Sequence, residues 1–288
     1  MKHAMEKTEL DPETFNALAE LAYKESGLQL VVEKSSMVRS RLRHRLTAVG
    51  LSSFANYVEL VKSDQGRAER KNMISALTTN VSHFFRENHH FDTLVKEIFP
   101  TALSALQKGG RFRVWSAGCS NGQEAFSILM SLAEAFPELD QYDVKVLATD
   151  IDPKVVAFSK AAAYPERFVT GVPEHLLSKY FTKSNDEAGA VYSVSDTLRK
   201  KVFFSELNLL APWPIKNQMD AIFCRNVVIY FDQNTQNTLW PRFKKQLNTN
   251  GCLFLGHSER IADPAKFGFL TDGPTTYRPT NPAKSSHN

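Results

Sequence analysis

The sequence contains few cysteines and no long uncharged apolar segment. Its three cysteines, Cys119, Cys224 and Cys252, form no C-x-x-C pair, which argues against a disulfide framework and against a cysteine-rich zinc site. No segment reaches the roughly 18 apolar residues of a membrane-spanning helix, since Arg225 interrupts the best candidate, 221–231. The charged N-terminus lacks the apolar core of a secretory signal. We therefore expect a cytoplasmic protein with no metal and no insertion into the membrane.

The chain also has little excess of either charge. Its 35 Lys and Arg stand against 31 Asp and Glu, a net charge of +4 over 288 residues, which is too small to indicate a nucleic-acid or membrane partner. The excess is local, however, because residues 21–74 contain ten basic and five acidic side chains. Four of the basic residues alternate along one predicted helix: Arg39, Arg41, Arg43 and Arg45.

Apolar residues recur at helical spacing through about the first hundred positions. Asp11 followed by Pro12 is typical of an N-cap and a first helical residue. No strand pattern precedes Arg111. We predict a helical N-terminal domain over residues 1–98 and a linker over 99–110.

Beyond that linker, short apolar runs alternate with helical patterns, which indicates a parallel sheet covered by helices. The alternation is interrupted at about 161–204, where we predict a small inserted subdomain with antiparallel strands. The predicted fold is thus α/β, with a Rossmann-like sheet domain over 111–275 after an all-helical domain. The end of the chain, 276–288, is rich in Pro, Thr, Asn and Ser, and we expect it to be flexible.

A glycine loop joins the first predicted strand to the following helix. Gly118 and Gly122 lie four residues apart, so the G-x-G-x-x-G pattern of dinucleotide binding is absent. A strand, a glycine loop and a helix still allow backbone N–H groups to approach a ligand, which makes Gly118 a candidate cofactor-binding residue. A plain strand-to-helix turn is the alternative.

An acidic residue ends the next predicted strand. Asp150 stands where a carboxylate can accept hydrogen bonds from both ribose hydroxyls, whereas Asp152, which precedes a proline, is more typical of a helix cap. With the glycine loop, Asp150 indicates an adenosine-containing ligand that needs no pyrophosphate cradle. S-adenosylmethionine fits that description, and Glu124 can face its amino acid part. The alternative for Glu124 is an ordinary acid in the first turn of a helix, where the helix dipole favours it.

A third candidate segment follows a buried strand at 219–224. Arg225 and Asn226 come at its carboxyl end, which is the functional edge of an open α/β sheet. Tyr230 follows, where its ring can face a bound cation, although core packing is the alternative role for a tyrosine in an apolar run.

At these segments the chain resembles the CheR chemotaxis receptor methyltransferases, which methylate receptor glutamates with S-adenosylmethionine. The resemblance covers nearly the whole chain and is carried by motifs in the expected order. They are Ala76-Leu-Thr-Thr-Asn-Val-Ser-His-Phe-Phe-Arg-Glu87, Trp115-Ser-Ala-Gly-Cys-Ser-Asn-Gly-Gln-Glu124, Ala148-Thr-Asp-Ile-Asp152, Phe223-Cys-Arg-Asn-Val-Val-Ile-Tyr-Phe231 and Gly256-His-Ser-Glu259.

The resemblance implies roles for individual positions. It implies contacts to S-adenosylmethionine, or to the product S-adenosylhomocysteine, through Asn80, Ser82, Arg86, Glu124, Asp150, Asn208, Leu209, Asn226 and Val227. It also implies that Tyr230 lies near the transferred methyl group as the catalytic residue. The activity would be protein-glutamate O-methylation, with glutamate methyl esters as products.

The chain departs from the family pattern around its glycine loop. Asn121, Gln123, Ala125 and Phe126 stand where the family commonly has Thr, Glu, Pro and Tyr. The family's assisting arginine has no assigned counterpart, because the segment before the first strand offers only Lys108.

The implied partners are the cytoplasmic helices of methyl-accepting chemotaxis receptors. Arg39, Arg41, Arg43 and Arg45 are our candidate docking residues for an acidic helical surface. They also suit an ordinary solvated helix on which the long arginine side chains cover the edge of the core. The inserted subdomain matches one that binds a receptor C-terminal peptide in some members.

Two other functions remain open at this point. A methyltransferase of RNA would use the basic helix as its footprint, but only Phe54 and Tyr57 lie near it as aromatic partners, and we expect no nucleic-acid partner. A non-catalytic module that senses S-adenosylmethionine is the other alternative, because of the altered glycine loop.

Overall fold

A computed structural model of the chain describes residues 9–187 and 189–280. Within them, the residues divide into two compact units. The helical unit extends to Thr79 and includes Tyr230–Thr235, and the sheet unit comprises Asn80–Ile229 and the residues from Gln236 onward. The division falls at Asn80, earlier than the boundary expected near residue 98.

Among the residues described from position 9 onward, the helical unit contains four α-helices. These are α1 (Pro12–Ser26), α2 (Ser35–Ala48), α3 (Phe54–Lys62) and α4 (Arg67–Leu77), with a 3-10 turn at Val32–Lys34. Asp11 caps α1 as predicted, since its carboxylate accepts a hydrogen bond from the Thr14 amide at 2.9 Å. On α2, the apolar side chains of Val38, Leu42 and Leu46 share one face and are buried.

The sheet unit contains a seven-stranded sheet. Its strands are β1 (Arg111–Ala117), β2 (Asp143–Asp150), β6 (Val202–Glu206), β7 (Met219–Cys224), β8 (Leu247–Leu255), β9 (Phe269–Thr271) and β10 (Thr276–Pro279). The order is β6-β2-β1-β7-β8-β10-β9. The first five strands in this order are parallel, and β10 is antiparallel to both β8 and β9. This is the expected Rossmann-like sheet, with an antiparallel pair at one edge.

Helices and turns accompany these strands. They are α5 (His89–Thr93), a π-helical turn (Leu94–Ile98), α6 (Phe99–Leu106), α7 (Gln123–Ala135), α8 (Pro153–Ala161), α9 (Glu166–Val169), α10 (Glu174–Tyr180), α11 (Asp196–Arg199) and α12 (Gln233–Gln246). Shorter 3-10 turns lie at Pro137–Gln141, Val228–Tyr230 and Ala265–Phe267.

The structure corrects the predicted boundary region. Residues 99–110, expected to be a linker, contain α6, whose Phe99 and Leu106 are buried. Phe84 and Phe91 belong to the same apolar core as Phe112 of β1. The segment after Asn80 is therefore part of the sheet unit, because its apolar side chains cover the sheet.

The inserted subdomain is present as a second, antiparallel sheet. Strands β3 (Ala163–Pro165), β4 (Phe181–Asp186) and β5 (Gly189–Val194) pair in the order β3-β5-β4. The predicted insertion extended too far at its C-terminal end, since Val202–Glu206 forms β6 at the edge of the main sheet.

The predicted flexible tail is also corrected at its start. Residues 276–279 form β10 and pair with two strands, while 281–288 lie outside the described residues. In the described part of the chain, no helix has the length and apolar character needed to cross a membrane.

Candidate cofactor site

The glycine loop lies between β1 and α7, close to the end of β2. The amides of Gly118 and Cys119 donate to the carbonyl of Thr149 at 2.8 and 2.9 Å, which ties the two strand ends together. Gly118 has φ +93°, and a Cβ there would lie 2.2 Å from Cγ2 of Val227. A glycine is therefore required here both by the backbone conformation and by the close approach of the turn after β7.

Asp150 ends β2 as predicted and faces this loop. Its carboxylate accepts from the amides of Ser120 at 2.8 Å and Asp152 at 3.0 Å. Burial raises the pKa of Asp150, while these amide hydrogen bonds act in the opposite direction. The predicted capping role of Asp152 is confirmed, because its carboxylate accepts from the Lys154 amide at the start of α8.

Glu124 lies in the first turn of α7 and points toward β1. Ser116 donates a hydrogen bond to it at 2.6 Å, and Nη1 of Arg225 lies 3.3 Å from its Oε2. The side chain is 13% exposed. Burial raises the pKa of Glu124 and the guanidinium of Arg225 opposes that shift, so the charge of this carboxylate depends on its neighbour.

Arg225 itself lies between two carboxylates. Its side chain is 2% exposed, and Nη2 is 3.4 Å from Oε2 of Glu87. Nη2 also donates to the carbonyl of Arg86, and the guanidinium lies 5.4 Å from the ring centre of Phe91. Arg225 thus connects the segment 85–87 to the first turn of α7, through Glu124.

Glu87 is a site residue that we did not predict. Burial raises its pKa, but His257 and Arg225 outweigh that effect and lower the pKa of Glu87 to about 2. His257 Nδ1 lies 2.9 Å from its Oε1, and Asn226 Nδ2 donates at 3.4 Å. Glu87 also has φ +54°, a left-handed conformation that is costly for a residue with a side chain. The sequence did offer one indication of this role, because Glu87 is the acidic residue that ends the motif at 76–87.

The other predicted cofactor residues occupy the same unit. Asn80 donates to Asp152 Oδ2 at 2.8 Å, and Ser82 and Arg86 are partly exposed. Asn208 accepts from the amide of Leu210 at 2.9 Å.

Leu209 follows in the same segment and is 6% exposed. Asn226 and Val227 begin the turn after β7, and Asn226 has φ +59°. The loop after β1, the end of β2 and the turn after β7 therefore carry Gly118, Asp150, Asn226 and Val227 to one edge of the sheet.

Tyr230 falls in the helical unit. Its carbonyl accepts a hydrogen bond from the amide of Gln29 at 2.9 Å, and its side chain is partly exposed. Its catalytic role stays a prediction.

The four candidate docking arginines differ in their surroundings. Arg41 donates to the carbonyls of Leu77 and Thr78 at 2.7 and 2.8 Å. Arg45 makes a two-pronged ion pair with Glu69. Arg39 and Arg43 are exposed and are therefore the members of this set best placed for docking.

The donor and acceptor groups at the sheet edge fit S-adenosylmethionine. Glu124 and Asp150 offer carboxylates, and the buried Oγ of Ser120 has no hydrogen-bond partner among the described residues, so that it can bind a polar ligand. Over residues 9–187 and 189–280, no group of three or more His, Cys, Asp or Glu side chains is arranged to hold a metal ion.

Comparisons with known proteins agree with this arrangement. A family model for the SAM binding domain of CheR methyltransferase matches residues 80–273, and one for the CheR methyltransferase all-alpha domain matches residues 13–78. The chain is 44% identical over 260 residues to a "probable chemotaxis protein methyltransferase" of Rhizobium etli, covering 90% of this chain and 97% of that protein.

A second relative and one solved structure also align with the chain. The chain is 37% identical over 273 residues to the chemotaxis protein methyltransferase of Escherichia coli, covering 94% of this chain and 92% of that protein. A crystal structure of the methyltransferase domain of bacterial CtHen1 aligns with a TM-score of 0.33 and 14% identity, over 59% of this chain and 64% of that one.

Proposed function

This chain belongs to the CheR family of S-adenosylmethionine-dependent methyltransferases, and on that premise we propose that it methylates glutamate side chains of chemotaxis receptors. The proposed acceptors are carboxylates on the receptors' cytoplasmic helices, and the protein would act in the cytoplasm during chemotactic adaptation. The observation that carries the proposal is the convergence of the Gly118 loop, Glu124 and Asp150 at the carboxyl edge of β1 and β2.

We assign the cofactor to that edge. Glu124 would hold the amino acid part and Asp150 the ribose, while the segment at Asn208 and Leu209 would lie along the adenine. Asn226, Val227 and the segment of Asn80, Ser82 and Arg86 would complete the site. When bound, the cofactor supplies a methyl group on a sulfonium that leaves S-adenosylhomocysteine after transfer.

The proposed reaction requires no general base from the protein. A glutamate side chain has a reference pKa of about 4.3 and is therefore already a nucleophilic carboxylate near pH 7. The residues of the site act by orienting the acceptor and replacing water around the two opposite charges. The ring of Tyr230 would face the sulfonium.

Receptor binding is proposed to use two other regions. Arg39 and Arg43 on α2 would attract an acidic helical surface. The inserted sheet would bind a C-terminal receptor peptide along one of its edge strands, β3 or β4, since the order β3-β5-β4 leaves these at the edges.

The test uses the whole chain with S-adenosylmethionine labelled in its methyl group and purified receptor cytoplasmic fragments. We expect label on the receptor that alkali releases as methanol, because esters hydrolyse in base and N-methyl groups do not. Label that resists alkali would identify another acceptor class, and cofactor binding without transfer would identify a sensing module.

A matched pair of variants tests Tyr230. Tyr230→Phe keeps the aromatic ring and should keep kcat within about threefold, whereas Tyr230→Ala removes the ring and should lower kcat about tenfold or more. Equal losses for the two variants would show that the hydroxyl, rather than the ring, is required.

A further inference from the structure

We propose that Glu259 is the positioning residue that shapes the turn after β7, residues 225–229, into the form that closes the cofactor site. This inference deepens the proposed function and rests on the assignment of Asn226 and Val227 to the cofactor. Glu259 ends the motif at 256–259, which directly follows β8.

The Glu259 carboxylate accepts hydrogen bonds from four backbone amides. Oε2 accepts from Gly256 at 2.6 Å and Asn226 at 2.8 Å, and Oε1 accepts from Val227 at 2.7 Å and Ile229 at 3.1 Å. Three of these donors, Asn226, Val227 and Ile229, lie in the turn at 225–229. A single side chain from the segment after β8 therefore orients three backbone amides of the turn after β7.

The charge and burial of Glu259 suit this role. The residue is 3% exposed, and burial raises its pKa while the four amides oppose that shift. An ionised carboxylate only accepts hydrogen bonds, so it matches a ring of amide donors. An amide side chain in its place would turn an NH2 group toward N–H groups, and one of the two oxygen acceptors would be lost.

The turn is closely packed and its backbone is irregular. Asn226 has φ +59°, a left-handed conformation that few residues other than glycine and asparagine adopt. A Cβ on Gly256 would lie 2.4 Å from Nδ2 of Asn226 and 2.7 Å from its backbone nitrogen. Val227 in turn comes so close to the glycine loop that a Cβ on Gly118 would overlap its Cγ2. A shift of this turn would therefore move Val227 relative to Gly118 and change the packing of the glycine loop assigned to the cofactor.

The first test is the variant Glu259→Gln, with binding of S-adenosylhomocysteine measured by isothermal titration calorimetry. We expect the Kd to rise about tenfold while the stoichiometry stays near that of the wild type, because the amides lose an ionised acceptor. A variant that merely unfolds in part would bind with the wild-type Kd at reduced stoichiometry, and that result would overturn the positioning role.

A second variant changes the fit of the turn without changing a charge. Gly256→Ala places a methyl group against Asn226, and we expect a rise in Kd of similar size. The matched control is Asp263→Asn, which removes an exposed carboxylate that accepts a single backbone hydrogen bond, from Lys266, and should leave the Kd unchanged. Wild-type affinity in both Glu259→Gln and Gly256→Ala would refute the inference.

Hydrogen exchange followed by NMR provides a readout at the atoms concerned. In Glu259→Gln the amides of Asn226, Val227 and Ile229 should exchange faster, while those of β1 and β7 keep their protection. The proposal would be contradicted if all amides lost protection equally, or if the amides of the turn lost no protection.

Asn226→Ala separates this inference from the proposed site. If Asn226→Ala weakens binding and Glu259→Gln does not, the cofactor assignment stands and the positioning role is wrong. If Asn226→Ala binds like the wild type, the assignment of the turn to the cofactor is itself wrong.

Discussion

Each of the two units pairs an arginine with glutamate below its surface, but the two networks differ in how completely their hydrogen bonds are satisfied. In the helical unit, Arg45 pairs with both oxygens of Glu69, and Tyr57 donates to the same carboxylate at 2.7 Å. In the sheet unit, Arg225 lies between the carboxylates of Glu87 and Glu124. There, Nε of Arg225 and Oε2 of Glu87 have no hydrogen-bond partner among the described residues.

We infer from this difference that the Arg45 network is structural and that the Arg225 network takes part in the proposed binding. Burial raises the pKa of Glu69, but the hydrogen bonds from Arg45 and Tyr57 more than offset it, so that the pKa lies below its usual value. Buried polar groups are normally satisfied in folded proteins, and those left over are concentrated where a ligand or water completes them. The Arg225 network therefore has capacity left for a ligand, and the Arg45 network does not.

The largest expected effect comes from replacing each arginine by methionine. Arg225→Met leaves two buried carboxylates without their cation and should destabilise the sheet unit by about 3 kcal/mol. It should also weaken binding of S-adenosylhomocysteine at least about tenfold, since Glu124 then favours its neutral form. Calorimetry and hydrogen exchange of each unit measure the two effects.

The matched variant is Arg45→Met. We expect it to destabilise the helical unit by about 2 kcal/mol and to leave the affinity within about twofold. The comparison fails if Arg45→Met weakens binding as much as Arg225→Met does.

The next effect is a pH dependence confined to the sheet unit. Burial, together with the nearby charge of Arg225, lowers the pKa of His90 to about 3, and its Nδ1 lies 3.7 Å from Glu87. The unfolded chain binds a proton at this histidine below about pH 6.5, whereas the folded chain does so only near pH 3. The contribution of neutral His90 to the free energy of unfolding is therefore complete above about pH 6.5. It decreases as the pH drops, by about 2 kcal/mol at pH 5.

Urea unfolding at pH 7 and pH 5 measures this change. His90→Gln removes the titrating group and should flatten the difference, even if it lowers stability at both pH values. Glu87, with a pKa of about 2, loses its contribution only below about pH 4.5 and does not affect this window. An unchanged pH slope in His90→Gln would assign the dependence to another group.

The smallest effect on stability is expected for the exposed arginines of α2. Arg39→Ala with Arg43→Ala should change the free energy of unfolding by less than about 0.5 kcal/mol. The KM for receptor fragments should rise about threefold at low salt, and the difference should shrink in high salt as the charges are screened. An unchanged KM would remove α2 from the docking surface.

The position of much of the candidate site in the fold could be predicted from local patterns. Gly118 and Asp150 follow directly from strand ends and loop composition, since the carboxyl ends of parallel strands meet at one edge. Helical spacing did not show which of the four arginines on α2 are free to dock, because it assigns a side chain to a helix face and does not say what packs against that face. Arg41 and Arg45 face α4, which only the packing of α2 against α4 reveals.

The sequence by itself determined the order of the elements, the parallel sheet and the motifs of the CheR family, because these depend on periodicity and on residues close along the chain. The tertiary structure decided which motifs meet. Glu87 and Glu259 both reach Asn226 although they come from distant segments. Such contacts depend on how helices and loops pack onto the sheet, and no spacing within one segment encodes that packing.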